Sequence, residues 1–510
     1  MTTSIQATTL LELLEKGAPA HPAIQVPDGP TITYGSLKQQ VQRLAAELRA
    51  MGIRPGDRVA TVLPNGPECI VAFLAAATAG TAAPLNPAYK ADEFQFYLED
   101  TKPRIIITPP EGAETALSVA APGVLRIVAT LDGQGSVAFQ WAGKNGKTPG
   151  EGSIPGYEDV ALVLHTSGTT SRPKRVPLRH HNIVTSVGNI VHSYNLTPDD
   201  VSLCVMPLFH VHGLVASTLA TFASGGTVVV PARFNPLNFW PVVKQYRATW
   251  YTAVPSMHQA LVARARSGHQ EPALRPSVRF IRSCSSSLPA GLMHEMEARF
   301  EVPVLEAYGM TEAAHQMASN PLPPGRRVPG SVGQATGVEI AIMDAMGNLL
   351  PEGAEGEVVI KGPNVISAYE DNPAANASSF VSGWFRTGDE GVIGAGGYLS
   401  LVGRIKELIN RSGEKIAPLE IDEALLSHPA VAEAVAFGVP HATHGEEAAA
   451  AVVLSGKATE AELIKHCRQH LADFKVPRTI YIMSQIPRTA TGKVQRRLVA
   501  EAVVGKNRRI

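Results

Sequence analysis

The sequence predicts a multidomain α/β protein, and three observations support this fold class. The chain has 510 residues, whereas a single hydrophobic core rarely serves more than about 250–300 residues. Helical patterns alternate with short apolar strands, which is typical of a largely parallel sheet covered by helices. Over residues 328–403 the pattern changes to short strands and turns, which indicates a small β-barrel.

The alternation starts near the N-terminus. Apolar residues recur at helical spacing over 10–15, 34–51 and 67–79. Short apolar runs predict strands over 31–34, 58–63, 104–107 and 160–164. Between the last two strands, residues 110–157 are rich in glycine and proline, and we expect peripheral loops and one edge of the first subdomain.

After Gly403 a new βαβ pattern begins, and it includes a helix over about 460–474. We therefore place a domain boundary near Lys406. The predicted N-terminal domain covers 1–405, and the predicted C-terminal domain covers 406–510.

Composition argues against several classes of protein. Lys+Arg and Asp+Glu balance at 45 each, so no overall field favours a nucleic-acid or anionic membrane partner. The four cysteines are scattered, without the spacing of a metal site or a small disulfide framework, which favours a reducing, intracellular setting. We find no signal peptide, no stretch long enough to span a bilayer and no clear C-terminal Ser-Lys-Leu address. We therefore expect a cytoplasmic protein, with a peroxisomal location as the alternative.

A polar loop follows the predicted strand over 160–164. Its residues, from His165 to Lys174, are HTSGTTSRPK. Small side chains let successive backbone N–H groups approach an anion, and Lys174 adds a positive charge, so the loop suits a polyphosphate. It lacks the Gly-Lys-Ser/Thr sequence of a Walker motif, and alone it is also typical of an ordinary surface loop.

Seven further motifs decide between these alternatives. They are MPLFHVHG at 206–213, SCSSSLP at 283–289, EAYGMTE at 306–312, GWFRTGD at 383–389, GRIKE at 403–407, SGEKI at 412–416 and PRTATGKV at 487–494. Together with the loop, and in this order, they resemble the adenylate-forming superfamily of acyl-CoA synthetases, peptide-synthetase adenylation domains and firefly-type luciferases. Ser171 and Arg175 depart from the family, which normally has glycine at both positions.

The resemblance implies a large N-terminal domain of two α/β subdomains plus a small β-barrel, which binds ATP and the acid. It also implies a smaller, mobile α+β C-terminal domain that carries a catalytic lysine and a coenzyme A loop. In relatives the C-terminal domain rotates about the position of Lys406, because the lysine serves the first step and the loop serves the second.

The resemblance also implies the roles of individual residues. The predicted nucleotide-binding residues are Thr166, Ser167, Gly168, Thr169, Thr170, Lys174, Glu306, Ala307, Tyr308, Gly309, Asp389 and Arg404. The predicted coenzyme A loop contains Ser412, Gly413 and Glu414. The predicted catalytic residues are Lys493, Glu312, Thr311 and His210. Glu312 is also the predicted ligand of Mg²⁺, which prefers oxygen donors shared with substrate phosphates.

We predict that His210, Ser285 and His315 hold the acid. The hydroxyls of the SCSSSLP motif favour a small polar acid, because a pocket for a fatty chain would be lined by apolar residues. These motifs are most similar to those of plant and fungal oxalate–CoA ligases, so oxalate is the predicted substrate. The alternative is another acid, such as malonate, a medium-chain acid or a 4-coumarate-like acid, with these residues behind the pocket.

Other functions remain as alternatives. A peptide-synthetase module would carry a carrier domain and an acidic residue near Phe234, and neither is evident. Luciferase-like oxygenation is compatible with the motifs. A nucleotide-binding protein without catalytic activity is a further alternative, and the joint presence of Lys174, Glu312, Asp389 and Lys493 argues against it.

Overall fold

The computed structural model describes residues 7–142, 153–166, 173–266, 277–441, 443–489 and 493–507. Four sheets organise these residues, and two of them are large and mainly parallel. The predicted α/β fold class is confirmed by this architecture and by the structural relatives reported below. No helix among the described residues is both long and apolar enough to cross a membrane.

A seven-stranded sheet forms the first large layer. In spatial order its strands are Val137–Ala142, Leu125–Leu131, Ile105–Thr108, Arg58–Thr61, Thr81–Pro84, Val160–Thr166 and Lys174–Arg179. The segment predicted as loops over 110–157 does supply one edge of this sheet, but it does so as the antiparallel pair Leu125–Leu131 and Val137–Ala142.

A nine-stranded sheet forms the second large layer. In spatial order its strands are Gln334–Ala335, His315–Ser319, Val304–Met310, Phe280–Ser283, Trp250–Ala253, Val201–Leu203, Thr227–Val229, Pro22–Gln25 and Thr31–Thr33. Its central strands are parallel, and the turn after Met310 makes the next strand antiparallel. The carboxyl ends of the central strands therefore lie beside this turn, where polar side chains can converge.

Helices cover both large sheets. Those in the first 405 residues are Tyr34–Ala50, Pro67–Ala79, Ala91–Thr101, Glu114–Ser118, His180–Ser193, Ala220–Ser224, Phe239–Gln245, Pro255–Arg266, Ala290–Phe300 and Pro373–Ser379, with a π-helix at His212–Leu219.

Two of these helices show how the sequence determines burial. In Tyr34–Ala50 the side chains of Leu37, Val41, Leu44 and Leu48 recur at helical spacing and are all buried on one face. Pro67–Ala79 is apolar on every side, and it is buried almost throughout because it packs between the sheet and its neighbouring helix.

The region predicted to be a small β-barrel forms a five-stranded antiparallel sheet. Its strands are Glu339–Met343, Glu355–Lys361, Phe380–Val381, Trp384–Gly394 and Tyr398–Arg404. The last two strands pair directly, which places Asp389 opposite Arg404.

The remaining residues form a second α+β unit. Its strands are Ile409–Arg411, Glu414–Ile416, Val431–His441, Gly445–Leu454 and Thr479–Met483, and its helices are Pro418–Leu426, Glu460–His470 and Arg496–Asn507. The buried apolar residues of this unit pack in two clusters, both drawn entirely from residues after Leu408.

Candidate functional site

The predicted phosphate loop joins two paired strands. Strand Val160–Thr166 is antiparallel to Lys174–Arg179, and Thr166 pairs directly with Lys174. Four of the predicted loop residues lie outside the described residues, namely Ser167, Gly168, Thr169 and Thr170. The half-buried Lys174 places its Nζ 4.4 Å from the centre of the Tyr369 ring.

Glu312, the predicted magnesium ligand, lies beside these strand ends. It belongs to the short turn Thr311–Ala313 and is buried. Its Oε1 accepts a hydrogen bond from the Tyr369 hydroxyl at 2.8 Å and one from Thr166 Oγ1 at 3.5 Å. Partial burial lowers the pKa of Lys174, and the nearby Glu312 carboxylate opposes that shift. The two strand ends, a cation and a carboxylate are thus brought together.

Thr311 and His210 line one small cleft with His165 and Phe209. Phe209 and His210 follow strand Val201–Leu203, whereas Thr311 follows strand Val304–Met310. The structure therefore brings two of the predicted catalytic residues together from different strands of the nine-stranded sheet.

Tyr308, Asp389 and Arg404 form a continuous set of polar contacts. The Tyr308 hydroxyl donates to Asp389 Oδ2, and Arg404 Nε lies 2.8 Å from Asp389 Oδ1. Burial raises the pKa of Asp389, while Arg404 opposes this shift. Ala307 and Gly309 flank Tyr308 in the same strand, Val304–Met310. The residues predicted to contact adenine, ribose and phosphate are therefore neighbours.

Lys493 comes from the C-terminal part of the chain and lies at the same place. Two hydrogen bonds hold its backbone beside Thr489: the Lys493 N–H donates to Thr489 Oγ1 at 3.1 Å, and the Thr489 N–H donates to the Lys493 carbonyl at 2.8 Å. Burial lowers the pKa of Lys493, and the nearby Glu312 and Asp389 carboxylates counteract that effect.

Glu306 has a role that the sequence did not predict. Its buried carboxylate accepts the Leu288 N–H at 2.8 Å, while its Oε2 has no partner among the described residues. Burial raises the pKa of Glu306 to about 8. Its side chain therefore fixes the end of the SCSSSLP motif from beneath.

The three residues predicted to hold the acid lie around His212. The backbone N–H of His212 donates to His210 Nδ1 at 3.2 Å, and the ring atom His212 Nδ1 lies 3.0 Å from Ser285 Oγ. The rings of His212 and His315 are 5.0 Å apart between centroids. His212 also begins the π-helix His212–Leu219, a rare conformation that often marks functional sites.

The predicted acid pocket is formed by His210, His212, Ser285 and His315, and two of these residues have unusual backbone conformations. Ser285 has a φ of 77° and His315 a φ of 109°, in a region that L-residues rarely adopt. Strain of this kind persists only when the surrounding structure enforces it, and it concentrates at functional sites.

Arg282 is the site residue that sequence reasoning missed. It lies in strand Phe280–Ser283, is fully buried, and donates to Thr252, Gln316 and Tyr194. Among the described residues it forms no ion pair with a carboxylate. The signal in the sequence was an arginine directly after the apolar pair Phe280-Ile281 and directly before SCSSSLP.

The histidines of the acid pocket are neutral. Burial lowers the pKa of His210 to about 3, and Lys493 contributes to this shift. Burial also lowers the pKa values of His212 and His315 well below the usual range, and the Arg282 charge adds to both shifts. These imidazoles can therefore donate one hydrogen bond each, but they carry no charge.

The predicted coenzyme A loop lies at the surface. Ser412, Gly413 and Glu414 are exposed, and Ser412 Oγ is 2.7 Å from His444 Nδ1. Ser412 has a φ of 53° and Gly413 a φ of 92°, as expected for a tight turn between two short strands. In this conformation Lys493, and not this loop, is at the site.

Arg175 has a structural role. This largely buried side chain pairs with Asp371, and it donates to the Asp100 carbonyl at 2.5 Å. Its Nε lies 3.4 Å from Asp100 Oδ2 and 3.6 Å from Glu370 Oε2. Arg175, which stands where the family usually has glycine, thus connects the end of the predicted phosphate loop to Asp100 and to Glu370-Asp371.

A hydroxyl-rich loop sequence, a carboxylate–arginine pair and a lysine from the C-terminal region are the features expected of an AMP-binding enzyme. The chain belongs to the AMP-binding enzyme family, whose model matches residues 14–370, and the model of the AMP-binding enzyme C-terminal domain matches 420–493. The predicted family resemblance is therefore confirmed.

Individual relatives match nearly the whole chain. The chain is 46% identical over 507 residues to the oxalate–CoA ligase of Arabidopsis thaliana, and the match covers 98% of each protein. It is 46% identical to the oxalate–CoA ligase of Saccharomyces cerevisiae, covering 89% of this chain and 88% of that protein. ATP-bound MatB from Rhodopseudomonas palustris has a TM-score of 0.87 and 32% identity, covering 97% of this chain and 98% of that one. The apo form of MatB has a TM-score of 0.74.

Proposed function

We propose that this protein is an ATP-dependent acid–CoA ligase that converts oxalate, through oxalyl-AMP, to oxalyl-CoA. The observation that carries the proposal is the polar acid pocket, in which Ser285 and three neutral histidines adjoin a buried arginine and Lys493. A pocket for a fatty or aromatic acid would be lined mainly by apolar side chains. A short acid with negative charge at both ends matches these donors and cations.

The relatives support the same substrate. The two oxalate–CoA ligases from a plant and a yeast each share 46% of their aligned residues with this chain over most of both lengths. Identity at this level over a whole two-part enzyme supports a shared reaction, and the pocket supplies the independent physical reason for a small dianion.

In the first step, a carboxylate oxygen of the acid attacks the α-phosphorus of ATP, the bond to the β-phosphate breaks and pyrophosphate leaves. Both reactants are anions, so preorganised positive charge is the main requirement. Lys493 reduces the repulsion at the reacting centre, and Lys174 with its loop holds the β- and γ-phosphates. Asp389 accepts from the ribose hydroxyls while Arg404 orients it.

The donor set at Glu312 fits Mg²⁺. Both hydrogen bonds that the Glu312 carboxylate accepts from the described residues reach Oε1, which leaves Oε2 available to a hard cation. Magnesium favours such a site, with one carboxylate oxygen and substrate phosphates as ligands. When bound, the ion supplies charge neutralisation across the phosphates, and Tyr369 and Thr166 keep the carboxylate in place.

In the second step, the coenzyme A thiol attacks the acyl carbonyl carbon, the bond to AMP breaks, and the thiol loses its proton. We propose that residues 406–510 act as a C-terminal domain that rotates about Lys406, so that the loop of Ser412 and Gly413 replaces Lys493 at the site. The separate apolar clusters after Leu408 support this division. The higher TM-score to ATP-bound than to apo MatB supports an adenylation conformation here.

We also propose a reducing, cytoplasmic setting. All four cysteines are buried as free thiols, namely Cys69, Cys204, Cys284 and Cys467. Such thiols pack as small apolar side chains and need no oxidising compartment.

The experiment that tests the function is ATP-dependent pyrophosphate release against a panel of acids, with and without coenzyme A. The panel contains oxalate, malonate, acetate, octanoate and 4-coumarate. We expect oxalate to give the highest kcat/KM, with sustained turnover only when coenzyme A is present. A preference for octanoate or 4-coumarate would retain the ligase chemistry and overturn the substrate assignment. If none of the acids gave pyrophosphate release, the assignment as an enzyme would be overturned.

A further inference from the structure

Arg282 is a buried cation without a buried anion. It lies in strand Phe280–Ser283, directly opposite Thr252 in the adjacent parallel strand, and its relative exposure is 0%. Among the described residues its guanidinium contacts only neutral groups. Leaving a buried charge uncompensated is strongly destabilising. We therefore expect Arg282 to be linked, directly or through hydrogen bonds, to a bound anion.

One side of the guanidinium leads to Ser285. Arg282 NH1 donates to Thr252 Oγ1 at 3.0 Å, and Thr252 Oγ1 lies 2.6 Å from His212 Nε2. Arg282 NH1 also lies 3.5 Å from His212 Nε2. Since a guanidinium only donates, Nε2 is the acceptor in this contact, and the His212 proton resides on Nδ1. His212 Nδ1 lies 3.0 Å from Ser285 Oγ, so it donates there and leaves the Ser285 proton free for a ligand.

The other side leads to His315. Arg282 NH2 lies 3.4 Å from His315 Nδ1, and it donates to Gln316 Oε1 at 3.1 Å. Because the guanidinium cannot accept, the His315 proton is placed on Nε2. On the far side, Nε donates to the Tyr194 hydroxyl at 2.8 Å, which fixes the plane of the guanidinium.

We propose that Arg282 is the positioning residue that sets the specificity of the acid pocket for a dianion. It acts through His212, Ser285 and His315. It fixes which ring nitrogen of each histidine carries the proton and where the Ser285 hydroxyl can donate, and it adds positive charge behind them. The inference rests on the proposed function, because the anion it serves is the second carboxylate of the acid. The neutrality of both histidines supports it, since only a neutral imidazole has a tautomer to be set.

The test compares Arg282→Met with the wild-type protein in the pyrophosphate assay. Methionine fills much of the same volume without charge or donors. We expect the KM for oxalate to rise by at least roughly tenfold, with the KM for ATP changed less than about twofold. Structural damage alone would change both constants and lower kcat, so the split between the two substrates separates positioning from folding.

Two further variants keep the test decisive if methionine prevents folding. Thr252→Val breaks the link to His212 and Ser285 and retains the guanidinium, so it should raise the oxalate KM by a smaller factor. Arg282→Lys retains the charge without the fork of donors, and it should recover part of the loss. Ser202→Ala is the matched control, because Ser202 is a buried serine of the same sheet whose hydroxyl lies 2.9 Å from Ser217 Oγ, and it should leave both KM values unchanged.

The outcomes distinguish the two proposals. A wild-type protein without oxalate-dependent pyrophosphate release would overturn the proposed substrate and this inference with it. Oxalate turnover in the wild type together with an unchanged oxalate KM in Arg282→Met, or in folded Thr252→Val and Arg282→Lys, would overturn the inference alone.

Discussion

At the residue scale, burial decides the protonation state of the ionisable side chains around the acid pocket. It keeps His210 and His315 neutral by penalising the imidazolium, and it keeps a proton on Glu306 by penalising the carboxylate. Positive charge around an anionic substrate then comes from Lys493 and, behind the histidines, from the buried Arg282. A pattern of residue types reveals the candidates, but the protonation state follows from the packed environment.

Glu306 should make stability depend on pH. Its pKa is about 8 in the folded protein and ordinarily 4.5, so between these values the folded state holds a proton that the unfolded state releases. The stabilisation is complete below about pH 4.5 and is lost as the pH rises through 8, by up to about 1.4 kcal/mol per pH unit. We expect Glu306→Gln, which cannot titrate, to flatten this slope.

Urea unfolding of both proteins between pH 5 and 8.5 measures the effect. Glu352→Gln changes an exposed glutamate and is the matched control, which should keep the wild-type slope. Equal slopes in the wild type and Glu306→Gln would contradict the prediction.

At the element scale, the site depends on two strands that approach unusually closely. Strand Val304–Met310 turns through Thr311–Ala313 into His315–Ser319, and the pairing shifts register between Tyr308 and Gly309. A Cβ atom on Gly309 would lie 2.0 Å from the His315 carbonyl oxygen. Since that oxygen belongs to the backbone, it cannot rotate away as a side chain would, and the position requires glycine.

Gly309→Ala should therefore displace His315 and weaken the acid pocket. We expect a loss of stability of about 1–3 kcal/mol, as is typical of overpacking, and a rise in the KM for oxalate. Thermal unfolding and the pyrophosphate assay measure the two effects. Gly291→Ala is the control, because it lies in helix Ala290–Phe300 with open space around its Cβ and should be neutral or stabilising. Wild-type stability and KM in Gly309→Ala would contradict the prediction.

The sequence predicted elements well where periodicity was long and contacts were local. Helices Tyr34–Ala50 and Pro67–Ala79 match their predicted bounds within one residue, because each has a sustained apolar pattern. The pair Leu125–Leu131 and Val137–Ala142 was predicted only as an edge, because glycine and proline around it hide its alternation. Arg282 was missed because its partners come from four other segments of the chain, and no local pattern reports such contacts.

At the scale of the whole molecule, the proposed mechanism requires two segments of the C-terminal unit to occupy the same position in turn. Lys493 is partly buried near Asp389 and Glu312, whereas the Ser412 loop is exposed and hydrogen-bonded to His444. One static arrangement cannot serve both adenylation and thioester formation if both groups are needed. The connection between the two units is short, since strand Tyr398–Arg404 is followed by the turn Ile405–Glu407 and then by strand Ile409–Arg411.

Lys406→Pro should separate the two steps. Lys406 is exposed in that turn, and proline would fix its φ and restrict the residue before it, which limits rotation of the C-terminal unit. We expect single-turnover pyrophosphate release to stay within about threefold of wild type, while thioester formation falls by roughly a hundredfold, in line with the gating role of hinge residues. Lys457→Pro, at an exposed loop position within the C-terminal unit, should change neither step. Rapid-quench measurement of both products decides the matter, because equal loss of the two steps would show damage to the adenylation site, and unchanged thioester formation would show that rotation does not pass through Lys406.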